Sequence, residues 1–94
     1  MGEIMDRDAF IIKFREEMLV RVTGNTCDGR FDEWLEANQF HPVGNIYHID
    51  DNHIDIEAPF ADDPSDYNWD FSYDDVEELT ENEQMMYEYM LENL

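Results

Sequence analysis

The chain has 94 residues, which is enough for one small domain, and 25 of them are Asp or Glu against five Lys or Arg, for a net charge of −20. This charge excludes direct binding to nucleic acid, or to an anionic membrane, through a basic patch, and no run of 18 apolar residues predicts a membrane span. Hydrophobic residues make up 43% of the chain, which predicts a folded core rather than a disordered acidic tail.

The first predicted element is a helix over Asp6–Val22, capped by Asp6 or Asp8. Apolar residues recur along it at steps of three and four, as one face of a helix requires. That stripe consists of Phe10, Ile11, Phe14, Met18 and Val22. Ile12 and Leu19 fall on the other side, so we expect this helix either to be covered twice or to form a self-association face.

A second, short helix is predicted near residues 29–39, with Phe31, Trp34 and Leu35 pointing inward. Pro42 and Gly44 follow it and mark its end.

Residues 45–57 alternate between apolar and polar side chains, which predicts a β-hairpin. Its strands are Ile46–Asp50 and His53–Glu57, joined by the two-residue turn Asp51-Asn52. Pairing Asp50 with His53 puts Tyr47, Ile49, Ile54 and Ile56 on one face. The other face is then wet and anionic, with His48, Asp50, His53, Asp55 and Glu57.

Residues 58–73 alternate acids with aromatics without a helical period, so we expect a loop pinned by Phe60, Trp69 and Phe71. A final helical region is predicted over Asp74–Glu92, with an apolar face of Met86, Tyr87, Met90, Leu91 and Leu94. Thr80 and Glu83 have the spacing of a capping box, which indicates a break near residue 80. These elements predict an α+β fold, a single small domain over residues 1–94 with helices packed on a short antiparallel sheet or hairpin.

The sequence does not favour catalysis. Cys27 and the histidines His41, His48 and His53 lie in no nucleophile signature. Carboxylate pairs are too abundant here to single out an acid and a base, and a domain this small seldom provides a pocket. We therefore expect no enzyme activity, no catalytic residue and no cofactor.

Two sets of residues can be compared with the ligand spacings of known metal sites. Asp66, Asn68, Asp70, Ser72, Asp74 and Glu77 fall at the ligand positions of an EF-hand calcium loop. Phe71 stands where the sharp turn needs glycine, so a calcium module is only a minor alternative. His48 and His53 lie on the wet face of the hairpin beside two Asp, but the cysteine-rich sets typical of structural zinc are absent from the sequence. The sequence thus predicts no metal site.

The acids are distributed unevenly. All five basic residues lie in residues 1–30, a near-neutral segment that also holds six acids, whereas residues 31–94 hold nineteen acids and no Lys or Arg. On strands and helices, regular spacing of about 5–7 Å would set carboxylates apart by distances similar to those between neighbouring DNA phosphates. The predicted partner-binding residues combine these acids with two aromatic anchors: Asp50, Asp55, Glu57, Asp62, Asp63, Asp66, Tyr67, Trp69, Asp70, Asp74, Asp75, Glu77, Glu78 and Glu81.

In size, charge and interleaving of acids with aromatics, residues 31–94 resemble the small acidic DNA-mimic proteins of phages and plasmids, of the anti-restriction and anti-CRISPR type. The resemblance is to a class and identifies no single family. It implies a stoichiometric inhibitor that occupies the basic nucleic-acid-binding site of a nuclease, restriction enzyme or CRISPR effector. Colicin-type immunity proteins and other antitoxins are also small and acidic, and they are the main alternative, with a cationic toxin as the partner.

The remaining expectations concern location and assembly. The first residues lack the basic and apolar regions of a signal peptide, and a single cysteine cannot form an internal disulfide. Both observations favour the cytoplasm, that of the host cell if a phage encodes the protein. Apolar residues on both sides of the first helix, with Met85 and Tyr89 on the last one, indicate a possible homodimer.

Overall fold

In the computed structural model, which describes residues 6–94, the chain forms a five-stranded antiparallel sheet with three helices. The α+β fold expected from the sequence is therefore confirmed. The spatial order of the strands is β4-β3-β2-β1-β5. The strands are β1 (Leu19–Val22), β2 (Val43–Ile49), β3 (Ile54–Glu57), β4 (Asn68–Phe71) and β5 (Val76–Glu78).

The helices cover the two faces of the sheet unequally. α1 (Arg7–Lys13) and α2 (Phe31–Ala37) pack through Phe10 and Trp34 into the larger core, with the buried isoleucines of β2 and β3. α3 (Glu81–Glu92) lies on the opposite face, where its apolar residues contact Leu19 and Val43. No helix within residues 6–94 is long and apolar enough to cross a membrane.

Trp34 joins α2 to the sheet. Its side chain is fully buried, and its indole Nε1–H donates to the backbone oxygens of Ile56 (3.2 Å) and Tyr67 (3.0 Å). Gly44 of β2 leaves room for this ring, because a Cβ there would stand 2.2 Å from the Ile56 side chain and 3.1 Å from the indole. The short helix predicted near residues 29–39 is thus confirmed and fixed to the sheet.

The first helix is shorter than predicted. α1 ends at Lys13, and Val22 of the predicted stripe belongs, with Leu19 and Val20, to a strand that pairs with both β2 and β5. A turn with Glu17 at φ 68° separates the two elements. The helical period was misleading because short β-branched segments are decided by tertiary pairing, which here buries Leu19 on one face and Val20 on the other.

The hairpin of β2 and β3 is confirmed, with one correction. The Asp50 N–H donates to the His53 carbonyl as the predicted register requires, and Ile49 pairs with Ile54. The register then shifts between Ile46 and His48, so Ile46 pairs with Ile56. Tyr47 lies in this bulge and is 57% exposed, whereas the prediction had placed it on the apolar face.

The predicted long loop and final helix both contain extra strands. Residues 68–71 of the loop form β4, which pairs with β3 and buries Phe71 against Ile54. The segment before the break at residue 80 is a 3-10 turn followed by β5 rather than helix. The capping box of Thr80 and Glu83 is present, and α3 begins directly after it.

Candidate functional site

Several of the predicted binding acids are paired with cations of the same chain. Arg21 on β1 binds Glu77 of β5 (3.0 Å) and Glu83 of α3, and Lys13 approaches Glu78 (3.3 Å). The Arg21 hydrogen bond holds the pKa of Glu83 at about 2, well below its usual range. These pairs tie α1 and α3 to the β1–β5 side of the sheet, so part of the acidity there is already neutralised.

A second group of acids surrounds His53, which lies in the turn between β2 and β3. The His53 Nε2 lies 3.3 Å from an Asp55 oxygen, 3.4 Å from an Asp70 oxygen and 3.6 Å from an Asp50 oxygen. Asp55 and Asp70 are directly paired across β3 and β4, so their side chains share one face. The sheet therefore gathers three carboxylates from the turn and two strands around one imidazole.

Asp55 is the most enclosed acid of this group. Its Oδ1 atom is buried and has no hydrogen-bond partner in the structure. Burial, followed by the neighbouring Asp70 carboxylate, raises the pKa of Asp55 to about 6. Two carboxylates so close together repel each other unless a proton or a cation lies between them.

A third group of acids lies at the opposite end of the β3–β4 hairpin. We define it as the loop-end surface, which consists of Glu33, Glu36, Asp62, Asp63 and Asp66. Three of these acids line an open depression of about 470 Å³, together with Ala37, Gln39 and Tyr67. Within residues 6–94, no ion pair involves any of the five carboxylates.

The loop-end surface rests on ordered backbone. One carbonyl anchors the segment between β3 and β4: Tyr67 O accepts from the Ala58 N–H (3.1 Å) and from the Trp34 indole N–H (3.0 Å). The buried Asn38 side chain accepts from the Phe60 N–H (2.8 Å) and donates to the Val43 carbonyl (2.8 Å). The carboxylates are thus carried on a fixed frame rather than on a flexible tail.

The two predicted aromatic anchors are partly buried. Tyr67 and Trp69 pack against the main core and lie 5.3 Å apart, ring centre to ring centre. The Arg30 guanidinium covers the Trp69 ring at 4.1 Å, and the indole Nε1–H donates to the Asp66 carbonyl. Trp69 pairs with Ile56, so it lies on the core face of β4 while Asp70 lies on the other face. Tyr67 contributes to the depression of the loop-end surface.

The fourteen predicted residues are therefore not one continuous patch. Asp74 and Asp75 follow the end of β4, where the Asp75 carbonyl accepts from the Thr23 N–H (2.7 Å), and burial raises the pKa of Asp75. Glu57 is half-buried at the end of β3, and Glu81 lies in the first turn of α3. Glu33 and Glu36 were missed, although their three-residue spacing in the predicted second helix could have indicated a common exposed face.

Neither the EF-hand calcium loop nor a reactive Cys27 finds its geometry here. Residues 66–77 form a 3-10 turn, β4, a second 3-10 turn and the start of β5, so the EF-hand loop and the helix that should follow it are not formed. Cys27 is exposed in a depression of about 300 Å³ beside Trp69 and Asp70. Partial burial and nearby carboxylates raise its thiol pKa, which is the opposite of what a nucleophilic thiolate needs.

Comparison with known proteins does not narrow the function. No protein-family description, curated protein or solved structure matches the chain. The resemblance to DNA-mimic proteins therefore stays one of size, charge and composition. The arrangement of the carboxylates is the feature that bears on function.

Proposed function

We propose that this protein is a stoichiometric inhibitor that presents nucleic-acid-like charge and occupies the basic nucleic-acid-binding site of a target protein. The observation that carries the proposal is the loop-end surface, where three of the five carboxylates line one open depression and none of the five is in an ion pair among residues 6–94. The target would be a nuclease, a restriction enzyme or a CRISPR effector, whose lysines and arginines normally hold phosphates. The open depression between Glu33, Glu36 and Asp62 is where such a side chain would enter.

The spacing of the acids supports this proposal. Glu33 and Glu36 lie three residues apart on α2, a separation that puts Cβ atoms about 5–6 Å apart. Neighbouring phosphates on one DNA strand stand roughly 6–7 Å apart. Carboxylates at this spacing can form ion pairs with two basic side chains that otherwise bind consecutive phosphates.

The rigidity of the frame also supports it. A disordered acidic tail would lose conformational freedom on binding, whereas α2 and the 58–67 segment are already held by the hydrogen bonds of Trp34 and Asn38. The binding free energy then goes into charge pairing rather than into ordering the chain. Opposite charge on the partner would also steer the encounter, so association should slow as salt is raised.

The proposal is tested in two steps. The tagged protein is used to capture partners from the cells in which it acts, and the retained protein is purified. Binding of that partner to a fluorescent DNA or RNA duplex is then measured by anisotropy while this protein is titrated in. We expect full displacement of the duplex at about one molecule of inhibitor per binding site, with competition rather than a ternary complex.

Two results would overturn the proposal. A ternary complex of partner, duplex and this protein would mean that it does not occupy the nucleic-acid site. Capture of a toxin domain whose basic site binds no nucleic acid would instead support the immunity-protein alternative. The second outcome would keep the acidic surface as the interface and change only the class of partner.

A further inference from the structure

The His53 group has the distances of a metal-binding site. Its three nitrogen–oxygen separations, 3.3, 3.4 and 3.6 Å, join one imidazole nitrogen to three carboxylates. Zinc binds histidine nitrogen and carboxylate oxygen at about 2.0–2.2 Å, and ligands at the corners of a tetrahedron of that size stand roughly 3.3–3.6 Å apart. The donor atoms of His53, Asp55 and Asp70 all lie within 4.8 Å of one another.

We propose that His53, Asp55 and Asp70 form a binding site for Zn²⁺. The ion would lie between the His53 Nε2 and one oxygen of each of the two carboxylates, with its fourth position open to solvent. It would link the β2–β3 turn to β3 and β4. This inference does not depend on the proposed inhibitory function.

A separate observation supports a cation at the centre of the group. The Asp55 Oδ1 atom is fully buried, is 3.3 Å from the His53 Nε2, and makes no hydrogen bond. Buried polar atoms are rarely left unpaired, because an unpaired one costs about 1–3 kcal/mol. A metal ion would pair this oxygen and remove the repulsion between Asp55 and its cross-strand neighbour Asp70.

The donor set favours zinc over calcium or magnesium. Calcium takes six to eight oxygen ligands at longer distances, and magnesium demands an octahedron of oxygens. Here one of the three donors is an imidazole nitrogen, which zinc accepts readily. The other nearby histidine, His48, is outside the group, because its Nδ1 lies 2.9 Å from Glu16.

The test uses the full-length protein after treatment with a chelator. Zn²⁺ alone is titrated in by isothermal titration calorimetry in the presence of millimolar Mg²⁺, which occupies non-specific sites on the acidic surface. We expect one equivalent to bind. The melting temperature should rise by roughly 10 °C when Zn²⁺ reaches about 100 times the Kd.

The variants identify the ligands. His53→Gln and Asp70→Asn should each weaken binding at least about tenfold, while the matched control His48→Gln should leave it unchanged. Co²⁺ as a spectroscopic probe should give visible absorption of tetrahedral type in the wild type and lose it in His53→Gln. The proposal is overturned if the wild type shows no zinc binding above Mg²⁺, if several weak equivalents bind instead of one, or if His48→Gln loses as much affinity as His53→Gln.

Discussion

Asn38 shows how much of the frame depends on one polar side chain. It is fully buried, donates to the carbonyls of His41 and Val43, and accepts from the Phe60 N–H. These bonds join the end of α2, the start of β2 and the segment after β3. The frame of the loop-end surface is therefore fixed by a residue that carries no charge.

Replacing this residue should be costly. Asn38→Ala removes the side-chain partner of three backbone groups, two of them in buried hydrogen bonds, and we expect the free energy of unfolding to fall by about 3 kcal/mol. Urea denaturation followed by circular dichroism measures it. Asn93→Ala removes an exposed hydrogen bond to Tyr89 and should cost less than about 0.5 kcal/mol. Equal losses in the two variants would contradict this role for Asn38.

The pair of Arg21 and Glu83 predicts a pH dependence. Because the pKa of Glu83 is lowered to about 2 in the folded protein, its contribution is fully present above its usual value near 4.5. That contribution should be lost as the pH falls from 4.5 toward 2. The stability difference between wild type and Glu83→Gln, measured by denaturation from pH 7 to pH 2.5, should therefore shrink on the acid side. A difference that stays constant over this range would show that the pair adds no stability.

At the scale of elements, the sequence predicts a helix or strand correctly where nearby residues specify it. The capping box at Thr80 and the inward face of α2 are local signals, and both appear as predicted. β1 and β5 are strands of four and three residues whose pairing partners are distant in the sequence. Their identity is decided by tertiary pairing, so the prediction that the first helix extends to Val22 was wrong beyond Lys13.

The start of α3 offers a direct test at this scale. The Thr80 side chain accepts from the Glu83 N–H, and the Glu83 side chain accepts from the Thr80 N–H. Thr80→Ala should lower the free energy of unfolding by about 1 kcal/mol. Thr23→Ala, at an exposed position just after β1, is the matched control and should stay within about 0.5 kcal/mol. Chemical denaturation of both variants should therefore show the larger loss of free energy of unfolding for Thr80→Ala.

The candidate site was only partly predictable, because it too depends on contacts between residues that are distant in the sequence. Residue types and spacing identified Asp62, Asp63 and Asp66, because acids in a polar loop are evident from the sequence. The cluster at His53 needed Asp70, which reaches it only because β4 pairs with β3. Long-range ion pairs, such as that between Arg21 and Glu77, also decide which acids are neutralised by a cation of the same chain.

At the scale of the whole molecule, a net charge of −20 on 94 residues opposes folding through self-repulsion. Salt should screen this repulsion, and we expect the melting temperature to rise by roughly 5 °C between 10 mM and 300 mM NaCl, the shift that about 1 kcal/mol gives in a domain of this size. The same scan on the triple variant Asp62→Asn, Asp63→Asn and Asp66→Asn should show a smaller rise. A melting temperature that falls with salt would mean that attractive ion pairs outweigh the repulsion.

Self-association stays a prediction at this scale. Ile12 of α1 is 87% exposed, and Met85 and Tyr89 of α3 are 62% and 68% exposed. α1 and α3 lie on opposite faces of the sheet, so each would offer a separate contact. Light scattering on a concentrated solution should show a dimer, and a monomer alone at high concentration would remove this expectation.

The central claim is that the position of the acids, and not net charge alone, determines binding. It is tested most directly by comparing two triple variants against the captured partner in the anisotropy competition. One removes three charges from the loop-end surface, with Asp62→Asn, Asp63→Asn and Asp66→Asn. The other removes three exposed charges outside it, with Asp8→Asn, Glu88→Gln and Glu92→Gln.

Both variants change the net charge equally, so bulk electrostatics predicts equal losses. Because each close charge pair across such an interface is worth about 1.5 kcal/mol or more, we expect the loop-end variant to lose at least about a hundredfold in affinity. The control variant should lose only a few-fold, from weaker steering. Equal losses in the two variants would contradict the claim.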